Sequence, residues 1–189
     1  MHHLLTHTSG IPDYTDMPEV LARRTRAMSP TELLSFFKDD PLRFEPGTDF
    51  RYSNSGYIIL GAIIERVSGQ CYEAFLHREI LKPARMHNTG YARREAGHPD
   101  RAAGYTIGEE RIPIDALPVH YSVLHTAGAL YSTIDDMLLW DQALCGNEIL
   151  SEESIEAMLT PYLERYGYGW VTGCVLRRGS SEIEGRKIR

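Results

Sequence analysis

The most informative segment of the sequence is Phe50-Arg-Tyr-Ser-Asn-Ser-Gly-Tyr-Ile-Ile-Leu-Gly-Ala-Ile-Ile64. Its first part follows the turn residues Glu45-Pro-Gly47, so we expect a short extended segment that ends near Tyr52. Its second part predicts a helix over residues 55–67, with Gly69 as the C-terminal stop. Apolar residues cover most of the circumference of that helix, which is typical of a helix at the centre of a domain.

Further helices are predicted on both sides of this segment from their N-terminal signals. Ser29-Pro-Thr-Glu32 combines a capping box with proline at the first helical position, and its helix should end near Lys38. Other helices should start near Cys71, run over residues 134–144, and follow Ser151. The greater part of the chain is therefore expected to be helical.

Two stretches predict strands. Residues 101–114 indicate a hairpin, in which Ala102–Ile107 and Arg111–Ile114 flank a Gly-Glu-Glu turn. The stretch Tyr166-Gly-Tyr-Gly-Trp-Val-Thr-Gly-Cys-Val175 carries aromatic residues at alternate positions, as a strand does. We therefore expect an α+β protein, mainly helical up to residue 165 and turning to sheet at its end.

The composition excludes several classes of protein. The 189 residues are 42% hydrophobic and 24% charged, which is ordinary globular usage. The formal net charge is −6, so no nucleic-acid partner is expected, because phosphate binding needs a basic surface. The longest apolar run, Tyr57–Ile64, falls far short of the roughly 20 residues that cross a bilayer. No signal-peptide pattern opens the chain, which leaves the compartment open between cytoplasm and secretion.

Tyr52 and Asn54 are the first candidates for chemistry. Side chains two residues apart in an extended segment point the same way, so these two can line one pocket. A tyrosine acts as a base only where a nearby cation tunes it. A helix N-terminus beside a buried phenol explains the same tripeptide without catalysis. From the residues alone, both interpretations stay open.

Two other patterns are weaker. Ser35-Phe-Phe-Lys38 has the S-x-x-K spacing that sets an amine one helical turn from a hydroxyl. The apolar residues of that helix place its core side opposite Ser35, so we expect Ser35 on a solvated face. His3 and His7 would share one face of a helix, as zinc ligands do, but the glutamate of an HExxH motif is missing. We expect no metal and no cofactor.

A series of stretches surrounds Tyr52 and spans nearly the whole chain in order: His3–Gly10, Phe44–Gly47, Phe50–Tyr57, Leu60–Gly61, Ile64–Glu65, Val67–Gly69, Ile80, Pro83, Met86, Thr89, Ala127–Thr133, Asp136 and Tyr166–Trp170. Together they resemble the serine β-lactamase and penicillin-binding-protein superfamily, in particular its class C β-lactamase, esterase and D-aminopeptidase branch. The resemblance implies a β-lactamase/transpeptidase-like fold. It implies a single incomplete domain over residues 1–189, in which 1–165 are mainly the helical region and 166–189 start the core sheet.

The resemblance also implies roles for two residues. In that superfamily a serine from S-x-x-K attacks a carbonyl to form an acyl-enzyme, the tyrosine of a Y-x-N motif assists proton transfer, and its asparagine orients the substrate. The last two roles carry over to Tyr52 as a catalytic residue and to Asn54 as a substrate-binding residue. The superfamily's S-x-x-K lies before the stretch that matches His3–Gly10, and its third motif lies after the stretch that matches Tyr166–Trp170. This sequence carries neither motif at those places.

The resemblance implies that this chain is a fragment of a serine hydrolase. The whole hydrolase would open amide or ester bonds through an acyl-enzyme, whereas the fragment is expected to be inactive as given. Its partner would be a small amide or ester substrate or a β-lactam, and self-association through the incomplete sheet is a further expectation. The alternative is a non-catalytic, truncated family member that acts as a binding or interaction protein. An in-frame S-x-x-K in the coding DNA upstream of Met1 favours the first, and a stop codon favours the second.

Overall fold

A computed structural model of the protein describes residues 1–92, 102–146 and 148–172. The described helices are α1 (His2–Leu5), α2 (Pro18–Arg23), α3 (Pro30–Ser35), α4 (Asn54–Ser68), α5 (Tyr72–Leu76), α6 (Tyr121–Leu124), α7 (Ile134–Cys145) and α8 (Glu152–Leu159). Short 3-10 turns lie at Tyr14–Asp16, Glu109–Arg111, His125–Ala127 and Leu163–Arg165, and a π turn at His77–Leu81 continues α5. The described strands are β1 (Gly90–Tyr91), β2 (Tyr105–Ile107), β3 (Pro113–Asp115) and β4 (Leu130–Tyr131).

Helix α4 confirms the helix that was predicted over residues 55–67. It has 15 residues and ends at Gly69, whose φ of 70° is the left-handed conformation that glycine adopts readily. Its N-terminal half is central, since Ser55 and Ile58 are completely buried. Its C-terminal half is more peripheral among the described residues, and Val67 is 83% exposed.

Local caps start three of the other helices, as the sequence predicts. The hydroxyl of Ser29 accepts a hydrogen bond from the Glu32 N–H and starts α3. Thr133 accepts from the Asp136 N–H at the start of α7, and Ser151 accepts from the Ser154 N–H at the start of α8. Helix α3 ends at Ser35, a few residues earlier than expected.

Two small antiparallel sheets complete the described elements and confirm the α+β class. Strand β1 pairs with β4, and β2 pairs with β3. The second pair is the hairpin predicted over residues 101–114, with shorter strands than expected. Every residue of its two strands is exposed.

The strand predicted from Tyr166 is wrong in its described part. Residues 165–172 form a tight turn, in which Tyr166 bridges to Val171 and the Thr172 N–H donates to the Arg165 carbonyl. Gly169 makes the turn possible, because its φ of 76° lies in the left-handed region. Residues 173–189 lie outside the described residues, so the start of a core sheet over 166–189 stays a prediction.

Two apolar cores hold the described helices together. The first joins α2, α3, α4 and α6, and its buried residues are Tyr14, Val20, Met28, Leu33, Phe37, Ile58 and Val123. The second joins α5 and the π turn to α7, and its buried residues are Leu76, Leu81, Ala84, Met86 and Ala143. In the first, the completely buried Tyr14 donates its hydroxyl to the Val123 carbonyl at 2.5 Å. This contact ties the 3-10 turn at Tyr14–Asp16 to α6.

None of the helices in the part of the chain that the structure describes is long and apolar enough to cross a membrane.

Candidate functional site

Tyr52 lies at the end of the extended segment that leads into α4. The residue is 53% exposed. One face of the phenol stacks on the imidazole of His7, with ring centroids 4.0 Å apart and ring planes 29° apart. Among the described residues, no hydrogen-bond partner is found for the Tyr52 hydroxyl. The ring is therefore held from one side while its hydroxyl stays available.

His7 is a buried residue that holds the segment around Tyr52. Its side chain and backbone together are only 2% exposed. The Ser53 N–H donates to His7 Nδ1 at 3.1 Å, and the Arg51 N–H donates to the His7 carbonyl at 2.9 Å. On the other side of the ring, His7 Nε2 lies 3.3 Å from the Tyr166 hydroxyl. The imidazole thus links residues 51–53 to the turn at residues 165–172.

The environment of His7 favours its neutral form. Burial lowers the pKa of His7 below the ordinary histidine value, and the carboxylate of Asp13 opposes this shift less strongly. The Ser53 N–H can donate only to a ring nitrogen that carries no proton. Neutral His7 therefore carries its proton on Nε2, which faces the Tyr166 hydroxyl.

Asn54 is fixed by a carboxylate from the loop before α2. The Asn54 Nδ2 donates to Asp13 Oδ2 at 2.8 Å, and the Asn54 N–H donates to the same oxygen at 3.1 Å. Asp13 Oδ1 accepts two further hydrogen bonds, from the N–H and the hydroxyl of Thr15. Because a carboxylate only accepts hydrogen bonds, the Nδ2 of Asn54 must face Asp13 and its Oδ1 must face away.

The N-terminus of α4 lacks a local side-chain cap and is secured by the same loop. Ser53 makes no capping hydrogen bond. Instead, Asp13 takes the first N–H of the helix, and a negative charge is favourable there. The buried Ser55 hydroxyl accepts from the Tyr14 N–H at 2.9 Å and donates to the Pro12 carbonyl at 2.6 Å. The loop over residues 12–15 thus determines where α4, and with it Asn54, begins.

The two predicted site residues are close together but bind different neighbours. Tyr52 stacks on His7, whereas Asn54 bonds to Asp13. A cavity of about 500 Å3 opens beside Asp13, between residues 12–18 and 40–43, and neither Tyr52 nor Asn54 lines it. Ser53 points inward, and its buried hydroxyl has no partner among the described residues. That Tyr52 and Asn54 line one pocket stays a prediction.

The S-x-x-K pattern at Ser35 lies on the protein surface, as expected. Ser35 is exposed, and its hydroxyl donates to the Glu32 carbonyl of its own helix at 2.7 Å. The Lys38 ammonium lies 3.7 Å from the exposed Asp39 carboxylate. A catalytic pair would need the amine directed at the hydroxyl inside a pocket.

The helical zinc geometry considered for His3 and His7 does not form. Helix α1 ends at Leu5, and His7 has a φ of 56°, outside the helical region. His3 Nδ1 instead pairs with the Thr8 hydroxyl at 2.9 Å. No group of three metal-binding side chains exists within residues 1–92, 102–146 and 148–172.

The sequence pattern did not single out Asp13, and it indicated His7 only as a possible metal ligand. Both residues act on a segment about 40 positions further along the chain. Spacing along a single element cannot reveal such a contact. One signal was available, since the family-like stretch His3–Gly10 contains His7.

The fold and the geometry around Tyr52 and Asn54 can now be set beside known proteins, and the comparison shows the family of the chain. The sequence model of the family described as "Beta-lactamase" matches residues 1–175. This chain belongs to that family of serine hydrolases, and its fold is β-lactamase/transpeptidase-like.

Three relatives illustrate the relationship. The Bacillus subtilis protein PbpX, named as a penicillin-binding protein, is 32% identical over 171 residues, which are 90% of this chain and 41% of PbpX. D-amino acid amidase from Ochrobactrum anthropi SV3, solved with D-phenylalanine, superposes with a TM-score of 0.76 at 27% identity, covering 97% of this chain and 56% of the amidase. An octameric penicillin-binding protein homologue from Pyrococcus abyssi superposes with a TM-score of 0.71 at 29% identity, covering 88% of this chain and 42% of the homologue. The chain thus spans about half the length of these relatives or less.

Proposed function

We propose that this chain contributes Tyr52 and Asn54 to the acyl-transfer site of a serine hydrolase that acts on amide or ester bonds or on β-lactams. We further propose that its 189 residues alone do not turn over a substrate. The proposal rests on one observation, the half-exposed Tyr52 just before the N-terminus of α4. Its phenol stacks on the buried His7. Family membership supplies the chemistry that such a phenol would serve.

The position of Tyr52 suits proton transfer. A general acid or base must come within hydrogen-bond reach of the reacting group, and the exposed hydroxyl leaves room for this. The segment that carries it is fixed by hydrogen bonds on both sides, at Arg51 and at Ser53. A fixed backbone holds the phenol in one place and lowers the entropy cost of the reaction.

The hydrogen bonds of Asn54 favour a substrate that carries an N–H. The Asn54 Nδ2 donates to both Asp13 Oδ2 and Thr15 Oγ1, so the atom left for a ligand is Oδ1, which only accepts hydrogen bonds. An amide or an acylamino β-lactam offers an N–H to this oxygen, whereas a simple ester does not. Within the proposed substrate range, amides are therefore expected to bind better than esters. The amidase relative acts on substrates of that class according to its name.

The absence of turnover follows from the missing nucleophile. Acyl transfer in this family needs a serine held against a base, together with donors directed at the oxyanion. The sequence contains one S-x-x-K, and its Ser35 is exposed and bonded to its own helix. Tyr52 and Asn54 can assist an attack, but neither replaces the serine.

The test begins with the coding DNA upstream of Met1. An in-frame S-x-x-K supports the proposed contribution of Tyr52 and Asn54 to an acyl-transfer site. A stop codon directly before Met1 contradicts that contribution and favours the non-catalytic alternative. In the product of the longer frame, Tyr52→Phe should slow acylation by a fluorescent penicillin by about 100-fold or more, the usual size of a general acid–base contribution. Tyr105→Phe is the matched control, because Tyr105 is also exposed but lies on the hairpin. Equal rates for both variants would count against a role for Tyr52.

A binding role through self-association is a second candidate, because the β2–β3 hairpin carries exposed apolar side chains. Tyr105, Ile107 and Ile114 are 63%, 75% and 51% exposed. Such exposed apolar strands are typical of surfaces that pair with another chain. Sedimentation velocity over a range of concentrations tests this candidate, and Ile107→Lys should weaken any association. A monomer at every concentration would exclude it.

A further inference from the structure

His7 contacts the chain on both sides of Tyr52. The Arg51 N–H, one residue before, donates to the His7 carbonyl at 2.9 Å. The Ser53 N–H, one residue after, donates to His7 Nδ1 at 3.1 Å. The imidazole itself stacks against the Tyr52 ring between these two hydrogen bonds. One residue thus restrains the backbone and the side chain of Tyr52 together.

The backbone conformation of His7 makes this arrangement possible. Its φ of 56° lies in the left-handed region, which is uncommon for residues other than glycine and is found at functional sites more often than elsewhere. In this conformation the carbonyl and the ring of His7 both reach residues 51–53. A further hydrogen bond joins the same two parts of the chain, since the Gly47 N–H donates to the Thr8 carbonyl at 2.8 Å.

Aromatic groups surround the imidazole. Tyr57 from α4 stacks on it with a centroid distance of 5.1 Å, while Phe50 and Tyr166 meet it edge-on. The titratable groups that act on His7 are the phenols of Tyr52, Tyr57 and Tyr166 and the carboxylate of Asp13. The neutral ring fits this apolar setting, and it accepts the Ser53 N–H only while Nδ1 carries no proton.

We propose that His7 is the positioning residue for Tyr52, which it holds by stacking on the phenol and by accepting the Ser53 N–H, so that protonation of His7 releases the Tyr52-Ser53-Asn54 segment. This inference rests on the proposed function, since it gives His7 its purpose through Tyr52. His7 is buried and is not expected to touch a substrate. It acts on the chemistry through the placement of a neighbouring side chain.

The experiment measures hydrogen exchange of the Arg51 and Ser53 amides by NMR in the full chain. His7→Phe keeps a ring for stacking but offers no acceptor, so the Ser53 amide should exchange at least about tenfold faster, the equivalent of one lost hydrogen bond. His7→Asn places Oδ1 where Nδ1 was and tolerates a positive φ, so it should keep Ser53 protected. The Arg51 amide bonds to the backbone carbonyl of residue 7 and should stay protected in His7→Asn, which keeps the positive φ. His3→Asn is the matched control, since His3 bonds to Thr8.

A second readout uses the unmodified protein and does not depend on whether a variant folds. Between about pH 7.5 and about pH 4.5, the Tyr52 ring resonances should shift with the same midpoint as those of His7. The protection of the Ser53 amide should fall over the same interval, after correction for the intrinsic pH dependence of exchange. Tyr52 signals that ignore the His7 titration, or equal Ser53 protection in all variants, would overturn the proposal. Neither readout requires turnover, so a failed acylation test with these NMR results would refute the catalytic role of Tyr52 and leave its placement by His7 established.

Discussion

At the scale of single residues, Asp13 is the group on which most of the site geometry depends. Its carboxylate accepts four hydrogen bonds, two from Asn54 and two from Thr15. Asp13→Ala leaves those donors without an acceptor and should destabilise the fold by about 2–4 kcal/mol, because hydrogen bonds to charged groups are the stronger kind. Urea unfolding measures the loss.

The control for this variant is Asp39→Ala. Asp39 is 85% exposed and pairs only loosely with Lys38, so its loss should change stability by no more than about 0.5 kcal/mol. A similar, small effect of both substitutions would show that the Asp13 carboxylate does not hold the start of α4.

His7 should make stability depend on pH in a defined direction. Burial lowers the pKa of His7 in the folded state, so the unfolded chain takes up the proton more readily. The stability contributed by neutral His7 is complete above the unfolded value of about 6.5 and is lost as the pH falls through the lower folded value. Between about pH 7.5 and about pH 5, the free energy of unfolding should therefore fall more for the wild type than for His7→Asn, as measured by urea denaturation.

The comparison with His7→Asn isolates His7 from other histidines. Burial also lowers the pKa values of His125 and His2, and their contributions run in the same direction. They are present in both proteins and cancel in the difference. An identical loss of stability in the wild type and in the variant would mean that the protonation of His7 is not linked to folding.

At the scale of elements, Gly61 allows α4 to lie against the 3-10 turn at His125–Ala127. A Cβ at position 61 would come 2.3 Å from the Thr126 Cγ2. The Thr126 side chain cannot easily move away, because its hydroxyl donates to the Tyr57 carbonyl at 2.8 Å. Gly61→Ala should therefore destabilise the protein by about 1–3 kcal/mol, in spite of the better helix propensity of alanine. In a Thr126→Ala background the same substitution should cost less. Thermal unfolding of the wild type, the two single variants and the double variant measures the coupling between residues 61 and 126. An equal cost of Gly61→Ala in both backgrounds would contradict this contact.

Local chemistry was enough to predict most helices. The caps at Ser29, Thr133 and Ser151 act within three residues of each helix start, so the sequence shows them directly. The strand from Tyr166 failed because alternation of aromatic residues does not reveal a left-handed glycine, and Gly169 turns the chain back on itself. The sequence therefore predicts an element well where its signals are local and poorly where one φ value decides.

The candidate site was predictable only in part. The Y-x-N tripeptide and its family-like surroundings predict roles for Tyr52 and Asn54, and these roles stay predictions. The partners of these residues could not be predicted, because His7 and Asp13 come from a distant stretch that reaches the site only in the folded chain. The expectation that alternation directs Tyr52 and Asn54 the same way also neglected that Asn54 is already the first residue of α4.

At the scale of the whole molecule, two apolar cores support the segments that carry the candidate site. The first core fixes the loop that holds Asn54, through the buried Tyr14 and Ile58. Ser35, the serine of the one S-x-x-K, lies outside this arrangement. Ser35→Ala should therefore change the free energy of unfolding by no more than about 0.5 kcal/mol, as measured by urea denaturation. A large loss would mean that Ser35 has a structural or functional partner.

We propose that these 189 residues carry the assisting groups of a serine hydrolase but no serine that can be acylated. The decisive measurement is intact-mass spectrometry of the full chain after incubation with a fluorescent penicillin, and separately with a fluorophosphonate. We predict that the mass is unchanged with either reagent, because the serine of the one S-x-x-K is exposed and bonded to the Glu32 carbonyl of its own helix. An adduct mapped to Ser35 would contradict both the absence of turnover and the surface role of that serine, and an adduct at any other serine would contradict the first alone.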